Sequence, residues 1–294
     1  MADERVSDPP GLPVGRPVEL PGRGTTFVRR LEGPAGAPTV VLLHGWTVNA
    51  ALNWFAAFEP LAERVNVVAL DHRGHGRGIR TWRRFRLEDC ADDVVALADV
   101  LGLDRIIPVG YSMGGPIAQL VWRRHPERVE GLVLCATSRY FGTNGPGGRA
   151  VASMAGMASL IARATPRRVQ RSLGGRLLDA RFDQSELGRW ARQQVIQNDT
   201  RMVVEAGQAL AGFSSREWIG GIDLPVGVVV TEYDSVVPPH RQRRMAEVVP
   251  GATMHPVPGD HGVCSTDPDA FLPGLLDACD SVISRGRAIR RQAG

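Results

Sequence analysis

The chain has 294 residues, is 43% hydrophobic and 22% charged, and carries a formal charge of +4 with 34 Gly, 21 Pro and 4 Cys. That length can bury a large single core, and the ordinary apolar fraction excludes collagen-like, low-complexity and disordered classes. The cysteines Cys90, Cys135, Cys264 and Cys279 are scattered and form no CxxC pair, which excludes a disulfide scaffold and gives no zinc or redox signature.

Residues 1–16 are rich in Pro, Gly and charge and read as a flexible segment. No apolar stretch follows the charged start, so a secretory signal is not expected and the default compartment is the cytoplasm. No run of 18 apolar residues occurs, so no transmembrane helix is expected. Apolar runs of strand length then recur: Thr39–His44, Asn66–Leu70, Ile106–Gly110, Leu132–Cys135 and Pro225–Thr231, with a shorter one at Thr253–Val257. Runs that are apolar throughout, instead of alternating, suit strands buried on both faces, as in a parallel sheet covered by helices. Helical patterns lie between them at Leu87–Leu101, Met113–His125 and Pro239–Val249, and a last one at Asp267–Ser284. Alternation of strand and helix predicts a doubly wound α/β domain.

One interval breaks the rhythm. Gly142-Thr-Asn-Gly-Pro-Gly-Gly148 is a loop signature, followed by helix-like stretches at 149–164, 166–178 and 184–212. These predict a helical lid over the sheet's C-terminal edge. The expected division is a flexible 1–16, a core of 17–138 and 214–285, a cap of 139–213, and a basic C-terminal tail of 286–294.

The sharpest motif is Gly110-Tyr-Ser112-Met-Gly114, a G-x-S-x-G with an apolar strand before it and an amphipathic helix after it. The glycines allow a sharp strand-to-helix turn that leaves the Ser112 hydroxyl exposed, with the positive end of a helix behind it. A serine needs a base to take its proton. Among seven histidines, His261 stands in a loop between the last strand and the last helix, where it can reach Ser112. His72 and His75 have H-x-x-H spacing, but no third ligand stands near, and a Gly turn accounts for them. The acid that orients His261 is Asp234, just beyond an apolar strand, with Glu232 the fallback; Asp260 reads as a loop-shaping residue. His44-Gly45 after the first core strand offers the Trp46 amide, and the residue after the serine offers the Met113 amide, as an oxyanion hole.

The set His44-Gly45, Asp71-His-Arg-Gly-His-Gly76, Gly110-Tyr-Ser-Met-Gly-Gly115, Tyr233-Asp234 and Gly259-Asp-His261-Gly262 closely resembles the α/β-hydrolase superfamily over residues 25–285. The resemblance implies an eight-stranded, mostly parallel sheet flanked by helices, a helical cap after the sixth strand, and a Ser112-Asp234-His261 triad. Within the superfamily the chain is similar to capped serine esterases and lipases and to cofactor-free haloperoxidases. Epoxide hydrolases and haloalkane dehalogenases share the layout but carry Asp where this chain has Ser112. Gly78 departs from the Ser that many relatives have after Gly-His-Gly-x.

The expected activity is hydrolysis of carboxylic esters through an acyl-enzyme, with no metal or organic cofactor. The same triad serves acyl transfer, thioester hydrolysis or perhydrolysis, and some hydrolase folds serve as small-ligand receptors. The expected partner is a small ester with an apolar acyl group, since Met154, Met157, Leu160 and Ile161 share one helical face of the lid. No concentrated basic stripe with aromatic platforms occurs, so no nucleic acid is expected. From Arg139 to Arg192 there are ten Arg against three acids. The excess reads either as a solvated helix face or as a surface for an anionic membrane or acyl carrier, with Arg167, Arg168 and Arg171 at its centre.

Overall fold

The computed structural model of the chain describes residues 7–142 and 185–293, with side chains through Arg291. Eight strands form one sheet: β1 (Arg16–Leu20), β2 (Gly24–Leu31), β3 (Thr39–Leu43), β4 (Asn66–Leu70), β5 (Ile107–Tyr111), β6 (Leu132–Cys135), β7 (Val226–Thr231) and β8 (Thr253–Val257). Their spatial order is β1-β2-β4-β3-β5-β6-β7-β8. β1 pairs antiparallel with β2, and β2 antiparallel with β4. Every other neighbouring pair is parallel. The described helices are α1 (Ala50–Trp54), α2 (Phe58–Ala62), α3 (Leu87–Val100), α4 (Gly114–Arg124), α5 (Glu186–Ile196), α6 (Thr200–Ala211), α7 (Pro239–Val248), α8 (Val263–Thr266) and α9 (Pro268–Ala293).

Every residue of β3, β5, β6 and β7 is buried, as strands covered on both faces must be. Successive side chains on a strand point to opposite faces, and the core divides accordingly. Val41 and Leu43 join α3, α4, α6 and α7 in one apolar cluster. Val40 and Leu42 join α1, α2, α5 and α9 in the other. β1 and β2 alternate between buried and exposed residues, which is why no continuous apolar run announces them.

Three segments differ from the sequence expectation. Residues 8–13 are tied down: Leu12 is buried, Asp8 accepts from Trp190 Nε1 at 3.0 Å and pairs with Arg29 at 2.9 Å, and Arg29 also donates to the Pro13 carbonyl. The single helix expected over 184–212 is two helices. Asp199 breaks it, capping α6 by accepting from the Met202 amide at 3.1 Å while its own N–H donates to the Gly74 carbonyl at 2.7 Å. The C-terminal arginines continue α9 instead of forming a separate tail; Arg285 donates to the Gly251 and Val226 carbonyls, and Arg290 pairs with Glu130 at 2.8 Å. The helices expected at 149–164 and 166–178, with the Met154–Ile161 stripe and Arg167, Arg168 and Arg171, lie outside the described residues. Among the described residues no helix is long and apolar enough to cross a membrane.

Candidate active site

The turn from β5 into α4 places Ser112 with φ of 50°, a left-handed conformation that costs energy in any residue with a Cβ. Three hydrogen bonds hold it there. The Ser112 amide donates to the Cys135 carbonyl at 3.0 Å, and the Ser112 carbonyl accepts from Gly115 N–H at 2.9 Å and from Thr137 Oγ1 at 2.8 Å. The flanking glycines are required by crowding. A Cβ at Gly114 would stand 2.0 Å from the Leu43 carbonyl oxygen, and one at Gly110 would stand 2.3 Å from the Gly114 oxygen. The strained turn thus presents the serine hydroxyl at the sheet's C-terminal edge, against the positive end of α4.

His261 Nε2 lies 2.9 Å from Ser112 Oγ, and His261 Nδ1 lies 2.7 Å from Asp234 Oδ2. Asp234 sits in the turn after β7 and is fully enclosed. Its Oδ1 accepts from the amides of Val236 and Val237, each at 2.8 Å, and its Oδ2 accepts from Thr231 Oγ1 at 2.8 Å and from Gln242 Nε2 at 3.3 Å. Burial works to raise the Asp234 carboxyl, but the bond to His261, the charge of that ring and the Val237 and Thr231 donors outweigh it and hold the group below the usual carboxylate range. An ionised Asp234 only accepts, so the proton on the facing imidazole is on Nδ1, and Nε2 is free to accept from the serine. The fallback acid Glu232 is turned elsewhere, to Arg243 at 2.6 Å. Asp260 accepts from the Gly262 amide at 2.8 Å within its own loop.

The chain leaving β3 passes close to the serine: a Cβ on Gly45 would be 3.5 Å from Ser112 Cβ. Asn53 Oδ1 accepts from the Gly45 amide at 2.8 Å. His44 Nε2 accepts from the His72 amide at 2.9 Å, which leaves Nδ1 as the protonated nitrogen that donates to the Gly45 carbonyl at 2.8 Å. The backbone carrying the Trp46 amide is fixed from both sides. The amides of Trp46 and Met113 have no acceptor among the described residues. The His44 ring packs tilted against His72, with centroids 4.4 Å apart, and against His75, at 5.4 Å, all three buried. Burial pushes His72 down to about 3 and His75 to about 4, and burial with the neighbouring rings lowers His44 too. Among the described residues no three His, Cys, Asp or Glu side chains are placed to hold a metal ion.

The structure therefore brings Ser112, Asp234 and His261 into one hydrogen-bonded chain, with Met113 next to Ser112 in sequence and Gly45, before Trp46, packed against the serine. Sequence reasoning missed several supports. Tyr111, the variable residue inside the G-x-S-x-G motif, donates its hydroxyl to the His261 carbonyl at 2.9 Å. Gln242 holds both Thr231 and Asp234. Trp46 Nε1 donates to the Val203 carbonyl on α6 at 2.7 Å, and Asn198 Nδ2 donates to the Thr47 carbonyl at 2.6 Å, so the described part of the interval between β6 and β7 reaches over this edge.

A sequence model of the alpha/beta hydrolase fold matches residues 38–268. A Caulobacter sp. (strain K31) protein named "Putative carbamate hydrolase RutD" is 30% identical over 258 residues, covering 83% of this chain and 92% of its own length. The pimeloyl-[acyl-carrier protein] methyl ester esterase of Chromobacterium violaceum is 29% identical over 226 residues, covering 75% of this chain and 85% of its own. Among solved structures, a thermophilic esterase from Thermogutta terrifontis superposes with a TM-score of 0.74 at 22% identity, over 92% of this chain and 99% of its own.

Proposed function

Because the chain belongs to the α/β-hydrolase fold family, a family of hydrolases and esterases, we propose that Ser112 is its nucleophile, His261 its general base and acid, and Asp234 the carboxylate that orients the imidazole. The observation that carries the reading is the unbroken relay from Ser112 Oγ through His261 to Asp234, with contacts of 2.9 and 2.7 Å, at a turn held with φ of 50°.

The substrate is a small molecule with an ester bond. Ser112 Oγ attacks its carbonyl carbon while His261 Nε2 takes the hydroxyl proton. The carbonyl oxygen becomes an oxyanion that accepts from the Trp46 and Met113 amides. The His261 imidazolium, stabilised by ionised Asp234, gives its proton to the leaving oxygen, and the alcohol departs. His261 then deprotonates water, which attacks the acyl-serine, releases the acid and restores Ser112. Carbamates and acyl-carrier methyl esters, named for the two sequence relatives, present the same reacting unit, a carbonyl bearing a leaving group. α5 and α6 form the described part of a cap over the site, supported by their bonds to Trp46 and Thr47.

The test is turnover of short 4-nitrophenyl esters, combined with labelling by a serine-directed fluorophosphonate. Mass spectrometry should place one adduct on Ser112, with Ser112→Ala unlabelled and inactive. Hydrolysis that survives in Ser112→Ala would overturn the assignment, and a wild-type protein that turns over no ester and takes no label would favour the receptor reading.

A further inference from the structure

Two arginines share the Tyr140 ring with no acid paired to them among the described residues. The Arg216 guanidinium carbon lies 3.6 Å from the centroid of the Tyr140 ring, and that of Arg241 lies 4.8 Å from it. Tyr140 pairs with Ser214 in an antiparallel bridge. The carbonyl of Arg139 accepts from the Ser215 amide at 2.8 Å and its hydroxyl at 3.2 Å. This short ladder brings Arg216, from the segment after α6, and Arg241, from the first turn of α7, onto Tyr140, with Arg139 the preceding residue in the loop after β6. Gln119 of α4, the helix that follows Ser112, fastens it by accepting from Ser215 Oγ at 2.6 Å and donating to the Ser138 carbonyl at 3.3 Å.

Other arginines near this edge are neutralised: Arg243 by Glu232, Arg201 by Glu205, and Arg73 by Asp93. Among the described residues Arg139, Arg216 and Arg241 make no ion pair, and Glu217, beside Arg216 in the chain, pairs with none of them. Arg139 Nε, Arg241 Nε and Ser138 Oγ are buried with no hydrogen-bond partner among the described residues. A buried donor left unpaired costs roughly 1–3 kcal/mol, and more when charged, so such groups are ordinarily satisfied. Like charges around one ring add repulsion. An anion binding there removes both penalties. A guanidinium lying over an aromatic face keeps its N–H edges for the two-point contact that carboxylate and phosphate oxygens match.

Position ties the cluster to catalysis. Thr137, whose hydroxyl donates to the Ser112 carbonyl, is two residues before Arg139, at most about 7 Å along the chain. Arg241 immediately precedes Gln242, which donates to Asp234. We propose that Arg216 and Arg241, which meet at the Tyr140 ring, form with the neighbouring Arg139 a binding site for an anionic group carried by the substrate. The proposal rests on the hydrolase reading of Ser112 and narrows its substrate to an ester or thioester that also bears a carboxylate or phosphate.

The test compares kcat/KM for 4-nitrophenyl half-esters of dicarboxylic acids with kcat/KM for uncharged 4-nitrophenyl esters of the same acyl length, and adds a coenzyme A thioester as the phosphate source. Wild-type protein should favour a charged substrate, and the preference should fall tenfold or more in Arg241→Gln and Arg216→Gln. It should fall also as salt rises past about 0.15 M, where the screening length is about 8 Å, and should return in part in Arg241→Lys. Preference confined to half-esters assigns a carboxylate; preference confined to the thioester assigns a phosphate. A charged-to-neutral ratio near one, or one the Gln variants leave unchanged, overturns the proposal. Calorimetric titration with glutarate and with inorganic phosphate reads the site without turnover. Binding that is lost in Arg241→Gln supports the site even if Ser112 is not the nucleophile, and absence of binding to wild type overturns it.

Discussion

The triad and the Tyr140 cluster share one strand edge, yet their polar groups are finished differently. Each oxygen of Asp234 has at least two donors, both nitrogens of His261 are engaged, and the Ser112 backbone is bonded on both sides. At Tyr140, two guanidiniums meet with no acid paired to them among the described residues, and the buried Nε of Arg241, like that of the neighbouring Arg139, is left open. A chemical relay must be set before substrate arrives, because a misplaced base loses rate steeply. A binding group is of use only if its donors are still available. Satisfied polar networks therefore mark the parts that hold geometry, and unsatisfied ones mark where a ligand completes the structure.

The largest break in this contrast comes from removing the relay. Ser112→Ala or His261→Ala should lower kcat by about 10⁶-fold, because nucleophile and base act as a unit. Both variants should remain folded by circular dichroism. Asp234→Asn should cost about 10⁴-fold, since a neutral amide no longer favours the required tautomer or stabilises the imidazolium. Glu232→Gln should leave kcat within about twofold, because Glu232 is turned to the half-buried pair with Arg243 and away from His261. Reversed sizes for the Asp234 and Glu232 variants would reassign the acid.

Much of this is legible in the sequence. β3, β4, β5, β6 and β7 coincide with apolar runs, because strands buried on both faces take few polar residues, whereas the edge strand β8 is half exposed and its run is short and mixed. β1 and β2 mix buried with exposed and polar positions, and their mixed sequences hide them. Ser112 stood out by its motif, and Asp234 and His261 by their places just past strand ends. What local pattern could not show is what long-range closure makes. The Tyr111 hydroxyl meets a carbonyl 150 residues away. Arg216 and Arg241 meet at Tyr140 only because the loop after β6, the segment after α6 and the first turn of α7 come together. The break at Asp199 was hidden because helical periodicity resumes on the far side of it.

The buried histidines give a finer probe of satisfied against unsatisfied groups. His44 uses both ring nitrogens, whereas neither ring nitrogen of His72 has a partner among the described residues. Burial holds His72 near about 3 and His75 near about 4, below the ordinary histidine value of about 6.5. With folded values depressed, the unfolded chain binds more protons between these limits. The stability contribution is therefore complete above about pH 6.5 and is lost as pH falls towards 4, by up to about 1.4 kcal/mol per pH unit for each ring. Urea midpoints measured from pH 7 to 4 should fall, and the His72→Leu variant should fall less steeply by about one ring's worth. Parallel curves for the two proteins would show that His72 is already charged in the folded state.

The smallest expected effect tests whether a single remote support sharpens the relay. Tyr111 is buried, packs edge-on against Trp54 and Phe271 at 5.9 and 5.6 Å, and spends its hydroxyl on the His261 carbonyl. Tyr111→Phe keeps the ring contacts and removes only that bond, leaving a carbonyl in the His261 loop unpaired at a cost of about 1 kcal/mol. The loop then has more freedom than the 2.9 Å contact between His261 Nε2 and Ser112 Oγ allows. Because the substrate meets neither the hydroxyl nor that carbonyl, kcat should fall about three- to tenfold while KM for a neutral ester stays near its wild-type value. If the bond served stability alone, the melting temperature would drop with kcat unchanged. If it shaped the substrate pocket, KM would move first. A fall in kcat with steady KM makes Tyr111 a positioning residue for the base, and places part of the relay's accuracy inside the same five-residue motif that carries the nucleophile.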